Sequence, residues 1–174
     1  MVDVTHLQMH SPIAAPASLG QQVRVLRADV PTVAFYRFLY ERVGSAWQWY
    51  ERLKMSDAEL LRAVTEPGIE IDVLYVDGVP AGFVELDLRS RNEVEIIYFG
   101  LMPEFIGRGF GGYFLSWALH RAWQQQPERV WLHTCSLDHP RALATYQKAG
   151  LQAYRHERVY IRDPRVEFPH LGGA

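Results

Sequence analysis

The length of the chain, 174 residues, suits one compact domain with a single sizeable core. Its composition is that of a globular protein, with 48% hydrophobic and 22% charged residues. Eighteen basic and twenty acidic residues leave a formal net charge of −2, and the basic residues are scattered along the sequence. This balance argues against nucleic acid or an anionic membrane as a partner.

The sequence also predicts the compartment. One cysteine, Cys135, cannot form an internal disulfide, which suits a reducing environment. No apolar run approaches the roughly 20 residues that a membrane-spanning helix needs. The N-terminus has neither a basic region nor a continuous apolar segment, so a secretory signal is not expected. We therefore expect a cytoplasmic protein.

The first third of the chain predicts an arm, a strand and several helices. Residues 1–20 are expected to form a peripheral arm, because a weakly alternating VTHLQM is followed by the proline-containing SPIAAPASLG. Residues 22–27 alternate with period two and predict the first core strand. A helix is predicted to begin near Pro31. The segments SAWQWYERLKM and SDAELLRAV predict further helical pieces, the second opened by a capping box of Ser56 and Glu59.

The middle of the chain predicts an antiparallel meander. Asp77-Gly78 is a strong hairpin-turn signal, so the β-rich runs Ile69–Val76 and Pro80–Leu88 should pair with each other. A third strand is predicted over Glu93–Met102. Together these runs predict three antiparallel strands in the centre of a sheet.

A glycine-rich segment then leads into a helix from about Gly109 to Gln126, the strand RVWLHTCS, a second helix starting at Pro140, and a last strand over residues 151–162. The resulting order is β-α-α-β-β-β-α-β-α-β. It predicts an α/β fold with a mixed sheet, mainly antiparallel at its centre and with one βαβ crossover. One domain is expected over residues 21–163, followed by a tail over 164–174.

The glycine segment IGRGFGG is the strongest chemical signal. Glycines at positions 107, 109, 111 and 112, directly before a helix, predict free N–H groups that bind a phosphate. A P-loop is excluded, since no Lys-Ser or Lys-Thr pair follows a glycine. The letters match a dinucleotide fingerprint, but antiparallel strands precede the segment and too little chain follows for a second nucleotide-binding half. For a turn that only lets helix and strand pack closely, one glycine would be enough.

Two motifs resemble those of the GNAT superfamily of acyl-CoA-dependent N-acyltransferases. The pyrophosphate loop of that family, [QR]-x-x-G-x-[GA], commonly follows an apolar-x-Pro-Glu element, and this chain reads LMPE followed by IGRGFG. The second family motif, N-x-x-A-x-x-x-Y-x-K-x-G-[FL], is matched by HPRALATYQKAGL. Ile106 stands where the family has Gln or Arg, and His139 stands where it has Asn. With the element order, the resemblance covers about residues 21–161.

The resemblance implies direct transfer of an acyl group, usually acetyl, from acyl-CoA to an amine. Acetyl-CoA would be the co-substrate, lying between the strand at Glu95–Leu101 and a diverging strand at Val130–Cys135, and no metal is implied. Glu95 would act as the base and Tyr146 as the acid for the leaving thiolate. Further contacts to acetyl-CoA would come from Phe99, Leu101, Ile106, Gly107, Arg108, Gly109, Gly111, Gly112 and His139.

Several roles stay open at this level. Glu93 shares the strand parity of Glu95, and Glu85 lies on the neighbouring strand, so either could act directly or through water, and each could instead face solvent. A buried Tyr146 could simply bond a backbone carbonyl. His133 and Cys135 alternate on a strand and could bind a metal or form a nucleophilic pair, but zinc-site spacing is otherwise absent and direct transfer needs no nucleophile.

The acceptor site is expected near the aromatic residues of SAWQWYERLKM. Trp47 or Tyr50 would line it together with Glu85, and Trp49 would pack elsewhere. The predicted function is N-acetylation of a primary amine of a small molecule. The alternative is a catalytically silent acyl-CoA-binding sensor or interaction module. Dimers are common in the family, so a homodimer is the oligomer that the resemblance suggests.

Overall fold

The computed structural model describes residues 1–172. The last two residues of the predicted tail 164–174 lie outside that range. Seven strands form one sheet: β1 Val2–Met9, β2 Val23–Arg27, β3 Ile69–Val76, β4 Val79–Asp87, β5 Glu93–Leu101, β6 Arg129–Cys135 and β7 Gln152–Val159. The helices are α1 Val33–Gly44, α2 Asp57–Thr65, α3 Phe110–Trp123 and α4 Ala142–Lys148. Short 3₁₀ turns lie at Ser45–Trp47, Arg52–Lys54, Pro103–Phe105 and Pro164–Val166.

The predicted fold class is confirmed. The strands lie in the order β2-β3-β4-β5-β6-β1-β7, and neighbouring strands are antiparallel except for β5 and β6. Those two are parallel and are connected through α3, which is the predicted βαβ crossover. Asp77 and Gly78 both have positive φ, 51° and 80°, as a tight hairpin turn requires. The capping box of Ser56 and Glu59 also forms.

The prediction of a peripheral N-terminal arm is wrong for residues 2–9. These residues form β1, which lies between β6 and β7 and pairs with both. Leu7 is fully buried and Met9 is 7% exposed, so β1 contributes to the core. Its alternation was visible in the sequence, but its partner strands are more than a hundred residues away, and the strand-free residues 10–22 separate it from β2.

Helices cover both faces of the sheet. On one face, α1 and α2 pack Tyr36, Leu39 and Leu60 against β3 and β4. On the other face, α3 packs Phe114 and Leu115 against the alternate side chains of β3, β4 and β5. The central strands are therefore buried on both sides. Among residues 1–172, no helix has the length and apolarity needed to cross a membrane.

The segment SAWQWYERLKM contains two single 3₁₀ turns instead of the helical piece predicted for it. Gln48 takes a left-handed conformation, with φ of 58°, and ends the first turn. The result is an irregular loop between α1 and α2.

The two parallel strands separate soon after they pair. Contact between β5 and β6 comprises Glu93–Glu95 on one strand and Arg129–Trp131 on the other. On its other edge β6 stays paired with β1 from Val130 to Cys135, and β5 stays paired with β4 through a register shift between Glu85 and Leu86. Because the pairing of β5 with β6 ends at Glu95 and Trp131, and β5 is bulged against β4, a wedge opens between the two parallel strands.

Candidate active site

A cavity of about 560 Å³ occupies the wedge between β5 and β6. Its walls come from the end of β5, the glycine segment, the start of α4, the loop after α1, and strands β6, β1 and β7. The lining includes predicted site residues from both motifs: Phe99, Leu101, Ile106, Gly107, Gly111, Gly112, His139 and Tyr146. The structure therefore brings the two motifs together around one space.

The glycine segment presents bare backbone beside this cavity. Gly107 and Gly109 have φ of 82° and 89°, and a Cβ atom added at Gly107, Gly109 or Gly112 would meet nothing within 4 Å. No side chain caps the N-terminus of α3, so the first N–H groups of this helix keep their hydrogen-bonding capacity. Free amides, open space and the positive end of a helix dipole fit the pyrophosphate of coenzyme A.

The two residues that depart from the family motifs, Ile106 and His139, both lie on the cavity wall. Ile106 lines the cavity, and its N–H donates to the carbonyl of Pro103 at 3.2 Å. His139 also lines the cavity, where its Nδ1 accepts the N–H of Arg141 at 3.0 Å. His139 therefore orders the turn before α4.

Arg108 does not contribute its side chain to the cavity lining. Its guanidinium lies over the rings of Phe105 and Phe110, 5.3 Å from each centroid. This cation–π contact directs the charge toward the outside of the loop. If Arg108 contacts acetyl-CoA as predicted, the contact is made by its backbone N–H and not by its side chain.

Tyr146, the predicted acid, lines the cavity. It lies on α4, is 9% exposed, and its ring is 6.3 Å from that of Phe99. Burial and the nearby Asp138 carboxylate raise the pKa of Tyr146, and no hydrogen bond within residues 1–172 contributes to this shift. The hydroxyl group is thus protonated at neutral pH and available to donate into the cavity.

Glu95 does not reach the main cavity. It lines a separate, smaller cavity together with Trp131, and its Oε1 lies 3.7 Å from Nδ1 of His133. His133 does line the main cavity, with 46% of its side chain exposed. The Glu95 carboxylate is the largest influence on His133 and raises the pKa of this imidazole. The structure therefore does not place Glu95 where it could contact an acceptor in the main cavity.

His133 was considered from the sequence only as a metal ligand or a thiol partner. Cys135 lines the same cavity, and burial, followed by the Asp138 carboxylate, raises the pKa of its thiol. A thiol with a raised pKa is a poor nucleophile at neutral pH. Among residues 1–172, no group of three His, Cys, Asp or Glu side chains could hold a metal ion.

The other two carboxylates that were considered as bases have fixed partners. Glu93 pairs with Arg129, whose Nη2 lies 2.6 Å from Oε2. Glu85 is fully buried and accepts hydrogen bonds from Tyr36 and Arg52. The prediction that Glu85 contacts the acceptor is therefore not supported, because its side chain lies inside the core below the cavity.

Trp47 and Tyr50 both line the cavity, as predicted for the acceptor site. Trp49 lines it too, although the sequence placed it elsewhere, and its Nε1 donates to Oδ1 of Asp138 at 3.3 Å. The next residue in this loop, Glu51, was missed, and its Oε2 accepts a hydrogen bond from the Tyr98 hydroxyl at 2.7 Å.

The strand that was taken for a peripheral arm also supplies part of the cavity wall. Val2, Val4 and His6 of β1 line it, and Nε2 of His6 lies 2.7 Å from Oε1 of Glu157 on β7. No motif marks these residues. Pairing of β1 with β7 is what brings them to the site.

A comparison with protein families decides the relationship. The model of the Acetyltransferase (GNAT) family matches residues 26–151. The chain belongs to the GNAT family. Both motifs of this GNAT chain lie inside the matched segment, whereas β1 and β7 lie outside it. His6 and Glu157, which line the cavity, therefore lie outside the segment that the family model matches. A search of curated proteins finds no match to the chain.

Solved structures share the fold of this GNAT chain. A GCN5-related N-acetyltransferase from Sphaerobacter thermophilus aligns with a TM-score of 0.67 and 15% identity, over 89% of this chain and 49% of its own. Spermidine N-acetyltransferase from Vibrio cholerae, in complex with CoA and spermine, aligns with a TM-score of 0.60 and 19% identity, over 75% of this chain and 81% of its own. An aminoglycoside acetyltransferase from a soil metagenomic sample aligns with a TM-score of 0.65 and 11% identity, over 83% of this chain and 97% of its own.

At these identities the likeness of the GNAT chain to solved structures concerns the fold. The chain also spans only part of several of these proteins. It covers 60% of a conserved protein from Staphylococcus epidermidis and about half of the Sphaerobacter thermophilus protein.

Proposed function

We propose that this GNAT protein is an N-acetyltransferase that moves the acetyl group of acetyl-CoA to a primary amine of a small acceptor. The observation that carries the proposal is the 560 Å³ cavity between β5 and β6, with the bare glycine segment and Tyr146 both on its wall. One structural neighbour was solved with CoA and spermine, which supports this pair of ligand types.

The glycine segment and the N-terminus of α3 would bind the pyrophosphate through backbone N–H groups. Phe99 and Leu101, on the part of β5 that borders the wedge, would position the pantetheine and the thioester carbonyl. Acetyl-CoA supplies an activated acyl thioester, so the protein has to supply orientation and proton transfer.

The acceptor must lose a proton, because an alkylamine with a pKa of about 10 is mostly protonated at neutral pH. His133 would take this proton, since it is the ionisable group that lines the cavity and contacts Glu95. Glu95 would act through His133 as a positioning residue, because its carboxylate holds the imidazole and raises its pKa.

The transfer step forms a C–N bond and breaks the C–S bond. Before attack, one proton of the ammonium group goes to His133, which releases it to solvent. As the C–N bond forms, the departing sulfur takes a proton from the hydroxyl of Tyr146, and the nitrogen loses its second proton to His133. Solvent then carries that proton from the imidazole to the tyrosinate and restores both groups. Atoms and charges balance without a covalent enzyme intermediate, which agrees with the raised pKa of Cys135. A cytoplasmic location and a homodimer stay predictions.

The test measures acetyl-CoA binding by calorimetry and thiol release with a panel of primary amines. Tyr146→Phe should lower kcat by about 100-fold or more and leave the affinity for acetyl-CoA unchanged. Tyr160→Phe, at a position 79% exposed and outside the cavity lining, is the matched control and should behave as wild type.

Two results would change the proposal. Binding of acetyl-CoA with no thiol release from any amine would favour the catalytically silent acyl-CoA-binding module. Stabilisation by NAD and not by acetyl-CoA would overturn the assignment of the glycine segment itself.

A further inference from the structure

The cavity wall carries carboxylates that form no salt bridge within the part of the chain that the structure describes. Three carboxylates line the cavity: Glu51, Asp138 and Glu157. Glu157 pairs with His6 and with Arg155. Within residues 1–172, Glu51 and Asp138 form no salt bridge, and their contacts are with neutral donors.

These two carboxylates differ in what they can still bind. Asp138 accepts the Thr134 hydroxyl at 2.7 Å, the Cys135 N–H at 2.9 Å and the indole N–H of Trp49 at 3.3 Å, so both of its oxygens are engaged. Glu51 is exposed, and among residues 1–172 its one hydrogen-bond donor is the Tyr98 hydroxyl, 2.7 Å from Oε2. A free carboxylate oxygen on the cavity wall is available to a ligand.

The loop holds Glu51 in place from both sides. Arg52, the next residue, forms a buried ion pair with Glu85 and lies over the Tyr98 ring at 5.5 Å. On the other side, the Trp49 ring packs 5.1 Å from that of Tyr98. These contacts fix the residues on either side of Glu51, and the hydrogen bond from the Tyr98 hydroxyl holds its carboxylate at the cavity wall.

Four aromatic residues share the cavity wall with this carboxylate, and one of them, Tyr98, donates its hydroxyl to it: Trp47, Trp49, Tyr50 and Tyr98. A carboxylate among aromatic faces is an environment that favours an organic cation, through charge pairing and cation–π attraction together. The one arginine in the lining, Arg141, precedes α4 and lies next to the second motif.

The chemistry of the reaction then separates two kinds of amine. The reacting amine must be neutral when it attacks, so it gains little from an unneutralised carboxylate. A second amino group that stays protonated gains the full contact. We infer that Glu51 binds a second ammonium group of the acceptor, and that the acceptor class is therefore a diamine or polyamine. This inference rests on the proposed function for its reacting amine only.

The experiment compares 1,4-diaminobutane with butylamine, which has the same carbon chain and lacks the second ammonium. The wild type should use the diamine with a kcat/KM at least about 10-fold higher, as expected for one additional charged contact. Glu51→Gln should lower kcat/KM for the diamine by about 10-fold and leave butylamine within about twofold.

Glu128→Gln is the matched control, since it removes the same charge from an exposed glutamate outside the cavity lining. It should retain the diamine preference. Glu51→Asp keeps the charge and should retain part of that preference, which separates loss of charge from a damaged loop. Thermal unfolding of each variant verifies that the fold is intact.

A binding measurement keeps this inference separate from the proposed function. Calorimetric titration of 1,4-diaminobutane into the protein saturated with CoA requires no turnover. Diamine binding that Glu51→Gln weakens, without acetylation of any amine, would sustain the inference and remove the proposed function. If the protein acetylates amines and Glu51→Gln changes kcat/KM equally for both amines, or for neither, the inference is overturned and the proposed function stands.

Discussion

The two sides of the cavity are built in different ways. The donor side comes from the two motif segments, the end of β5 with the glycine segment and the start of α4 with Tyr146, and the glycine segment is bare backbone. The acceptor side is assembled from side chains of four separate segments: β1, the loop after α1, β6 and β7. A site made of contiguous backbone leaves a spaced motif in the sequence, whereas a site made of dispersed side chains does not.

The two sides also differ in charge. Free N–H groups and a helix N-terminus make the donor side attractive to an anion. Glu51 and Asp138 give the acceptor side carboxylates that no cation of residues 1–172 pairs with. This difference suits two ligands of opposite charge that must meet in one cavity.

Loss of β1 packing should have the largest effect, and it tests whether the acceptor side depends on this strand. Leu7→Ala should lower the free energy of unfolding by about 2–5 kcal/mol, because Leu7 is fully buried between the sheet and α3. Leu19→Ala, at a position 42% exposed in the linker, should change it by less than about 0.5 kcal/mol. Urea denaturation measures both, and equal effects would contradict a core role for β1.

A glycine comparison tests whether the donor side works through bare backbone. Gly109→Ala and Gly78→Ala both place a Cβ at positive φ, 89° and 80°, with nothing within 4 Å of it. Each should lower stability by about 1–2 kcal/mol. Only Gly109→Ala should raise the KM for acetyl-CoA, by about 10-fold, since its methyl group occupies the phosphate space. Equal KM values for the two variants would count against pyrophosphate binding at this loop.

The smallest expected effect is a change in the pH dependence of kcat/KM. It tests the proton transfer from the acceptor amine to His133. His133 must be unprotonated to accept a proton, so kcat/KM rises as the pH passes through its pKa. Glu95 raises that pKa, so Glu95→Gln should move the acidic limb of the profile to lower pH.

Glu93→Gln is the control for this shift, because Glu93 pairs with Arg129 instead. Both profiles use the same amine, whose own ionisation then cancels. An acidic limb that stays in place for Glu95→Gln, or that persists unchanged in His133→Gln, would remove His133 as the proton acceptor.

Most of the local structure could be predicted from residue patterns. The Asp77-Gly78 turn, the Ser56 capping box and strands β2 to β7 follow from preferences of neighbouring residues, and all of them form. The donor side could be predicted as well, since glycine spacing before a helix specifies a backbone arrangement. The irregular loop that carries Trp49 could not, because Gln48 in a left-handed conformation has no sequence signal.

Residue order alone therefore accounted for the family, the fold class and the phosphate-binding segment, all of which depend on interactions within short stretches of chain. Three features depended on the folded chain: the insertion of β1 between β6 and β7, the burial of Glu85 beneath Arg52, and the contact of Glu95 with His133. Each results from pairing between segments distant in sequence, and the alternation of a single strand does not specify its partner. The acceptor side consists of such pairings, and for that reason Glu51 becomes visible only in three dimensions.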